Sequence, residues 1–291
     1  MSAARRILVL GAAGQLGRQI VRAATAAGWT VAAHDRDTLD ITDANALDAV
    51  CQATRPHWIA NCAGITHVDA CESDRSTDHV NADAVERIAD ACDRADASLL
   101  HISTDYVFDG APPPGAAEPR PYRESDPTRA LNAYGRAKLR SEELAARARR
   151  ALIVRTAWLF AVGGRNFVTT ILSAARAGRA LRVVNDQTGS PSHAPDVADG
   201  ALALMRLDAC GVFHVVNAGE ATWHELAVTT LRLAGMGGTA VAPIRSDEYA
   251  SPARRPEYSV LATEKLREQT GLTPRPWREA LADFVADWRR V

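Results

Sequence analysis

The sequence predicts an α/β fold, a doubly wound parallel sheet with a smaller mixed α/β portion at its C-terminal side. Three observations point there. Short apolar runs alternate with amphipathic stretches through the first half of the chain. Gly11, Gly14 and Gly17 stand at the turn inside the first such pair. Beyond residue 156 the alternation loosens, and Pro191, Pro243, Pro252 and Pro256 cut the chain into shorter pieces.

The elements follow in order. RILVL (6–10), TVAAH (30–34), WIANC (58–62), SLLHIS (98–103) and ALIVRT (151–156) are apolar runs of the kind that form strands buried on both faces. Helices are expected between them at about 15–27, 44–54, 78–95 and 132–148. A helix after each strand implies a parallel sheet covered on both faces, with right-handed crossovers. DGAPPPGAAEPRPYRESDP (109–127) is too rich in Pro and Gly for regular structure and reads as a surface loop. Further on, helices are expected near 166–177, 195–207, 223–234 and 277–290, with short strands near 181–184 and 212–216. The division is therefore 1–156 and 157–291, the second portion lying over the carboxyl edge of the sheet and interleaved with the first. Ligands of such sheets bind at that edge, so the cleft between the portions is the expected site.

Composition narrows the function classes. The 291 residues are 47% apolar and 24% charged, ordinary for a soluble globular protein. With 34 Lys+Arg against 35 Asp+Glu the net charge is −1, which gives no footing for nucleic acid or a membrane surface. No apolar run is long enough to span a bilayer, and the chain enters its first strand without a leader-like stretch. Five cysteines, an odd number with no CxxC pair or finger spacing, fit reduced thiols in a cytoplasmic protein.

LVLGAAGQLGRQI carries a GxxGxxG spacing rather than GxGxxG, yet the physics is shared. Gly11 permits the tight turn, Gly14 lets backbone approach a diphosphate, and Gly17 lets the helix pack closely on the sheet. The helix N-terminus then offers N–H groups and a positive dipole end. This makes the first portion a Rossmann-type dinucleotide-binding unit. At the end of the second strand, Asp35 suits ribose hydroxyls and Arg36 suits an added phosphate, so both NADH and NADPH stay open as cofactors. Asp40 could approach the adenine or simply stand at a helix start.

NAYGRAKLRSEE (132–143) holds Lys138, one of only two lysines in the chain; the other is Lys265. Tyr134 stands four residues earlier, on the same helix face. A fixed ammonium beside a phenol lowers its pKa and makes it a workable acid–base partner. Lysine's compact head fits against a phenol and a ribose together, where arginine's wide fork would not. HISTDYVFDG (101–110) offers Ser103 and Thr104 at a strand end, where a hydroxyl can polarise a carbonyl. Tyr106, without a lysine partner, reads as a pocket wall or core residue.

GxxGxxG, STDYVF and YxxxK together resemble the extended short-chain dehydrogenase/reductases. More narrowly, RTAWLF at 155, NDQTGSP at 185, ATWHELA at 221 and PARRPEYSVL at 252 are similar to the dTDP-4-dehydrorhamnose reductase family. That resemblance implies an NADPH- or NADH-dependent oxidoreductase that reduces the C4 ketone of a dTDP-linked 4-keto-6-deoxy sugar, as a monomer or homodimer. It implies that Gly14, Gln15 and Leu16 contact the cofactor phosphates, that Asp35, Asp40 and Ile41 flank the adenosine, and that Gly64, Ile65 and Thr66 lie along the cofactor. Tyr134 would be the proton donor, Lys138 its orienting partner and Thr104 the tuning hydroxyl. Thr104, Asp105 and Trp158 would face the sugar nucleotide, with Arg254 or Arg255 on its diphosphate, and Asn81 would hold a water relay. The family's NAAAYTAVDKAE stands here as NCAGITHVDACE, which leaves the sugar unread. Arg18, Gln19 and Arg22 on the first helix speak against a metal-bridged dimer. His67 reads as a polar neighbour.

Two rivals stay in play. A dehydratase would want glutamate where Tyr106 follows Thr104 and Asp105, whereas an epimerase could share the Tyr–Lys pair. A non-catalytic nucleotide-binding regulatory subunit would have no reason to keep Thr104, Tyr134 and Lys138 together.

Overall fold

Strand β1 (Arg6–Leu10) sets the pattern of the molecule: Ile7 and Val9 enter one apolar core, Leu8 and Leu10 the other. The computed structural model describes residues 4–290 apart from 75, 114, 115 and 117. Three positions of the expected 109–127 loop, 114, 115 and 117, therefore lie outside the described residues.

After β1 come α1 (Gln15–Ala26), β2 (Thr30–His34), α2 (Ala44–Thr54), β3 (Trp58–Asn61), a short α3 (Val68–Ser73) and α4 (Ala84–Arg94). β4 (Ser98–Thr104), α5 (Ala133–Ala145) and β5 (Ala151–Thr156) complete the first half. The second half runs through β6 (Leu159–Phe160), α6 (Phe167–Arg176), β7 (Leu181–Val184), β8 (Thr188–Gly189), β9 (Ser192–His193), α7 (Ala194–Arg206) and β10 (Gly211–His214). It closes with β11 (Ala221–Thr222), α8 (Trp223–Leu233), β12 (Val241–Ile244), α9 (Glu264–Thr270) and α10 (Trp277–Trp288).

The central sheet has six strands in the order β10-β5-β4-β3-β1-β2, all parallel. Its order reverses at β1, which has β2 on one side and β3 on the other, so the ligand crevice opens beyond the carboxyl ends of β1 and β3. Helices α1 and α7 cover one face, and α2, α4 and α5 the other. Polar residues fix where helices begin: Asp43 caps α2, Asn132 caps α5, Asn166 closes a capping box on α6, and Thr222 caps α8.

Two expectations change. Residues 211–214 join the main sheet beside β5 instead of the smaller portion. Nothing in a four-residue run can name its partner; pairing with Leu152–Arg155 does so across the fold. The helix expected over 78–95 also starts with a π-helical turn, His79–Asp83, before α4. In the C-terminal portion, β7 pairs with β12, β8 with β11 and β6 with β9 over a separate core that includes Phe160, Leu172, Leu226, Trp277 and Phe284.

Candidate active site

The glycine turn is built so tightly that side chains are excluded. Gly11 has φ 74°, and a Cβ there would stand 2.6 Å from the Ala63 backbone nitrogen on β3's exit loop. A Cβ on Gly17 would run into the Gly11 carbonyl, so α1 packs directly on the turn. Gly14 occupies the N-cap of α1 and no side chain caps that helix, which leaves its first N–H groups to a ligand. The turn faces a cavity of about 440 Å³ whose walls include Gly14, Gln15, Leu16, Thr104, Tyr134 and Lys138.

Helix α5 carries the Tyr–Lys pair into that cavity. Its N-cap Asn132 accepts from the Gly135 N–H at 2.7 Å and donates to the Arg254 carbonyl at 2.8 Å. Glu72 accepts from the Ala133 N–H at 2.7 Å. Gly135 lets the helix lie against the Tyr106 carbonyl, where a Cβ would not fit. The half-buried Tyr134 phenol is pushed well above its ordinary pKa, first by burial and then by the Asp105 charge, while the Thr104 hydroxyl pulls it down. Sequence reasoning expected Lys138 to lower it; burial and the Asp105 charge raise it instead and keep the phenol protonated, the form that can donate.

Lys138 is fully enclosed. Burial brings its ammonium down to about 8, against an upward pull from Glu142 one turn on. Its Nζ lies 3.2 Å from His101 Nε2, and Asn61 and Ser141 hold the other contacts of that imidazole. Burial, reinforced by the Lys138 charge, keeps His101 neutral. Behind this group, Arg155 grips Glu142 with two bonds of 2.8 and 2.7 Å, and the Ser103 hydroxyl donates to the same carboxylate. Ser103 therefore serves the scaffold, and Thr104 bonds locally, to the two residues that follow it in sequence. Thr104 Oγ1 donates to Asp105 at 3.0 Å, and Ser259 donates to the other Asp105 oxygen at 2.6 Å. Burial raises the Asp105 carboxyl to about 6 despite those bonds.

The opposite wall is aromatic. Trp158 follows β5 with φ 44°, a left-handed backbone that costs a bulky residue on the order of 1–3 kcal/mol. Its indole stacks on Trp223 at 3.5 Å and 4°, and Phe167 leans on Trp223 at 4.6 Å. The loop from Ala161 to Asn166 closes over the glycine turn: Arg18 donates to the Gly163 carbonyl at 2.6 Å, and Asn166 donates to Gln15 Oε1 at 2.8 Å. From this loop Arg165 lines the cavity, its guanidinium exposed and without an ion-pair partner among the described residues.

Not every residue singled out by sequence reaches the cavity. Gly14, Gln15, Leu16, Gly64, Thr66, Thr104, Asp105, Tyr134, Lys138 and Trp158 line it. Gly11 sits beneath the turn, and Ile65 is held beside the pocket by Asn81, which bonds its N–H at 2.7 Å and its carbonyl at 3.0 Å. Asn81 itself also lines the cavity. Asp35, at the end of β2, turns one oxygen back to the Asp37 N–H and the Thr38 hydroxyl. Arg36 beside it is 95% exposed and meets Asp37 at 3.7 Å. Asp40 closes a turn on Thr42, and the Ile41 side chain is buried in the sheet core. Arg255 is drawn away from the pocket by Asp69, which it meets at 3.1 Å through both oxygens, and by Ser251. Arg254 is exposed and contributes its carbonyl to Asn132. His67 caps α3. The sequence did not reveal Arg165, Trp223 or His101, because their partners are distant in the chain. Among the described residues no three His, Cys, Asp or Glu side chains are grouped to hold a metal, and no helix is long and apolar enough to cross a membrane.

The residues fit a nicotinamide dinucleotide. The turn excludes side chains where a diphosphate would lie, α1 is uncapped, and a buried ammonium with three donors meets one neutral imidazole. Comparison with known proteins bears on the same chemistry. A family model described as the RmlD substrate binding domain matches residues 5–290. A dTDP-4-keto-6-deoxy-D-glucose reductase of Streptomyces niveus is 41% identical over 280 residues, covering 95% of each chain. A dTDP-4-dehydrorhamnose reductase of Mycolicibacterium smegmatis is 39% identical, covering 97% of this chain and 86% of its own. The crystal structure of dTDP-4-dehydrorhamnose reductase from Bacillus anthracis in complex with NADP superposes with a TM-score of 0.92 at 32% identity, over 98% of this chain and 99% of that one.

Proposed function

The chain belongs to the RmlD substrate binding domain family, and from that membership we propose that it is an NAD(P)H-dependent reductase of the C4 ketone of a dTDP-linked 4-keto-6-deoxyhexose. The substrate we assign is dTDP-4-dehydrorhamnose, which reduction turns into dTDP-L-rhamnose. One observation carries this reading: a single cavity brings together the glycine turn, a protonated phenol, a buried ammonium and an aromatic wall.

The bound cofactor supplies hydride; everything else falls to this chain. Tyr134 gives its proton to the carbonyl oxygen as negative charge grows there. The Thr104 hydroxyl, swung away from Asp105, hydrogen-bonds the same oxygen. Lys138 offers its remaining donors to the phenol and to the ribose, and His101 fixes its position from behind. The glycine turn and the N–H groups of α1 hold the cofactor diphosphate. In this reading residues 1–156, with α7 and β10, bind the cofactor, and the remainder of 157–291 binds the sugar nucleotide. Arg165 replaces Arg254 and Arg255 as the guanidinium for a diphosphate, because it alone of the three lines the cavity.

The test is loss of reduced nicotinamide absorbance when the pure protein meets NADPH or NADH and a dTDP-4-keto-6-deoxyglucose, with and without a 3,5-epimerase. Oxidation that depends on the epimerase identifies 4-dehydrorhamnose as substrate. Oxidation without it identifies the unepimerised sugar, and no oxidation under either condition refutes the reductase.

A further inference from the structure

The aromatic wall is built in a way its sugar-binding role does not require. Trp158 could have lined the cavity with ordinary backbone, yet it stands in the left-handed region at φ 44°. Two features from elsewhere in the chain hold it there. Trp223, the first residue of α8, lies flat on its indole at 3.5 Å with planes 4° apart. Gly189 of β8 brings bare backbone against the same ring, where a Cβ would fall inside the indole. These two supports are tied together, since β8 pairs with β11 and β11 runs directly into Trp223. Thr222 caps α8 by accepting from the Glu225 N–H at 3.0 Å, and Phe167 leans on Trp223 at 4.6 Å. Both indoles are half-buried and both line the cavity.

We propose that Trp223 is a positioning residue for substrate: its stacking, with the gap left by Gly189, holds the Trp158 indole as a preformed flat wall for the sugar nucleotide. The inference rests on the reading of Trp158 as a sugar-nucleotide contact and adds the device that keeps it in place. Without the stack, the strained backbone at 158 is free to relax and carry the indole out of the pocket. Preformed geometry of this kind acts on the binding of the group it faces and leaves the glycine turn that holds the cofactor diphosphate unaltered.

A double-mutant cycle tests this, using Trp158→Ala, Trp223→Ala and the double variant in the full-length protein. Steady-state turnover with the dTDP-keto sugar, direct titration with NADPH, and near-UV circular dichroism of the coupled indoles are the readouts. Trp223→Ala is expected to raise KM for the sugar nucleotide about tenfold, the scale of one aromatic pair. It should remove the coupled-indole signal and leave NADPH affinity unchanged, and the double variant should be no worse than Trp158→Ala alone. Gly189→Ala, which pushes the indole from the other support, should give the same split. Trp223→Phe keeps a ring in place and should fall between, which preserves the comparison should the alanine form not fold.

Effects that add in the double variant would overturn the proposal, as would an unchanged KM in Trp223→Ala when Trp158→Ala raises it. An unchanged KM in Trp158→Ala itself would overturn it too, and would trace the fault to the sugar site.

Discussion

Replacing Lys138 by methionine should stabilise the protein while ending turnover. The side chain sits wholly inside the molecule, and burial drags its ammonium from an ordinary 10.5 to about 8. A depression of that size means that folding disfavours the charged form by roughly 3 kcal/mol. The sign follows from linkage. Unfolded, Lys138 keeps its proton up to 10.5, so the full cost is present at neutral pH and fades as pH rises from about 8 to 10.5. Methionine has similar length and no charge, and the lost contact with His101 returns about 1 kcal/mol. Lys138→Met is therefore expected to gain roughly 2 kcal/mol at neutral pH, or about 4–8 °C in Tm for a domain of this size. Urea unfolding across a pH series measures it, and the gain should narrow as pH passes about 8. A Lys138→Met protein less stable than the parent at neutral pH would refute the reasoning, because the ammonium would then be fully compensated.

Other expectations concern the groups around that ammonium. Tyr134→Phe should abolish sugar reduction and leave NADPH binding intact, measured by turnover beside fluorescence titration; near-normal turnover would remove Tyr134 as proton donor. Asp105→Asn should raise stability by roughly 3 kcal/mol above pH 6, where the buried carboxylate is charged, and by nothing below 3.8, where both states are protonated. A gain that does not depend on pH would sink that account. Arg165→Ala should weaken binding of a diphosphate ligand about tenfold or more, the scale of a charge-assisted hydrogen bond. Separate titrations with NADP and with dTDP identify which diphosphate it holds, and two unchanged affinities would dismiss it.

Local pattern carried much of the fold. TVAAH and ALIVRT became strands with the expected limits, and residues 44–54 a helix with the expected limits. A buried strand needs only a short apolar run bounded by turn residues, and that is visible in one window of sequence. The edge strand at 211–214 could not be placed the same way, because its partner is decided by packing across the sheet. The site divides along the same line. Tyr134 and Lys138 share a helix face, and Gly11, Gly14 and Gly17 share a turn, so their spacing is their geometry. Arg255 meets Asp69, and Trp158 meets Trp223, only through the tertiary fold. The Ile41 side chain likewise finds its place in the core only through the tertiary fold.

The most direct test follows the hydrogen. NADPH carrying deuterium at the transferable position of its nicotinamide, incubated with the protein and the dTDP-4-keto-6-deoxy sugar, should yield a reduced sugar nucleotide with a single deuterium on C4. Mass spectrometry and proton NMR of the isolated sugar read the position. Deuterium on C4, absent with Tyr134→Phe, is the result this account predicts. A sugar that is rearranged or epimerised without taking up the label would contradict it.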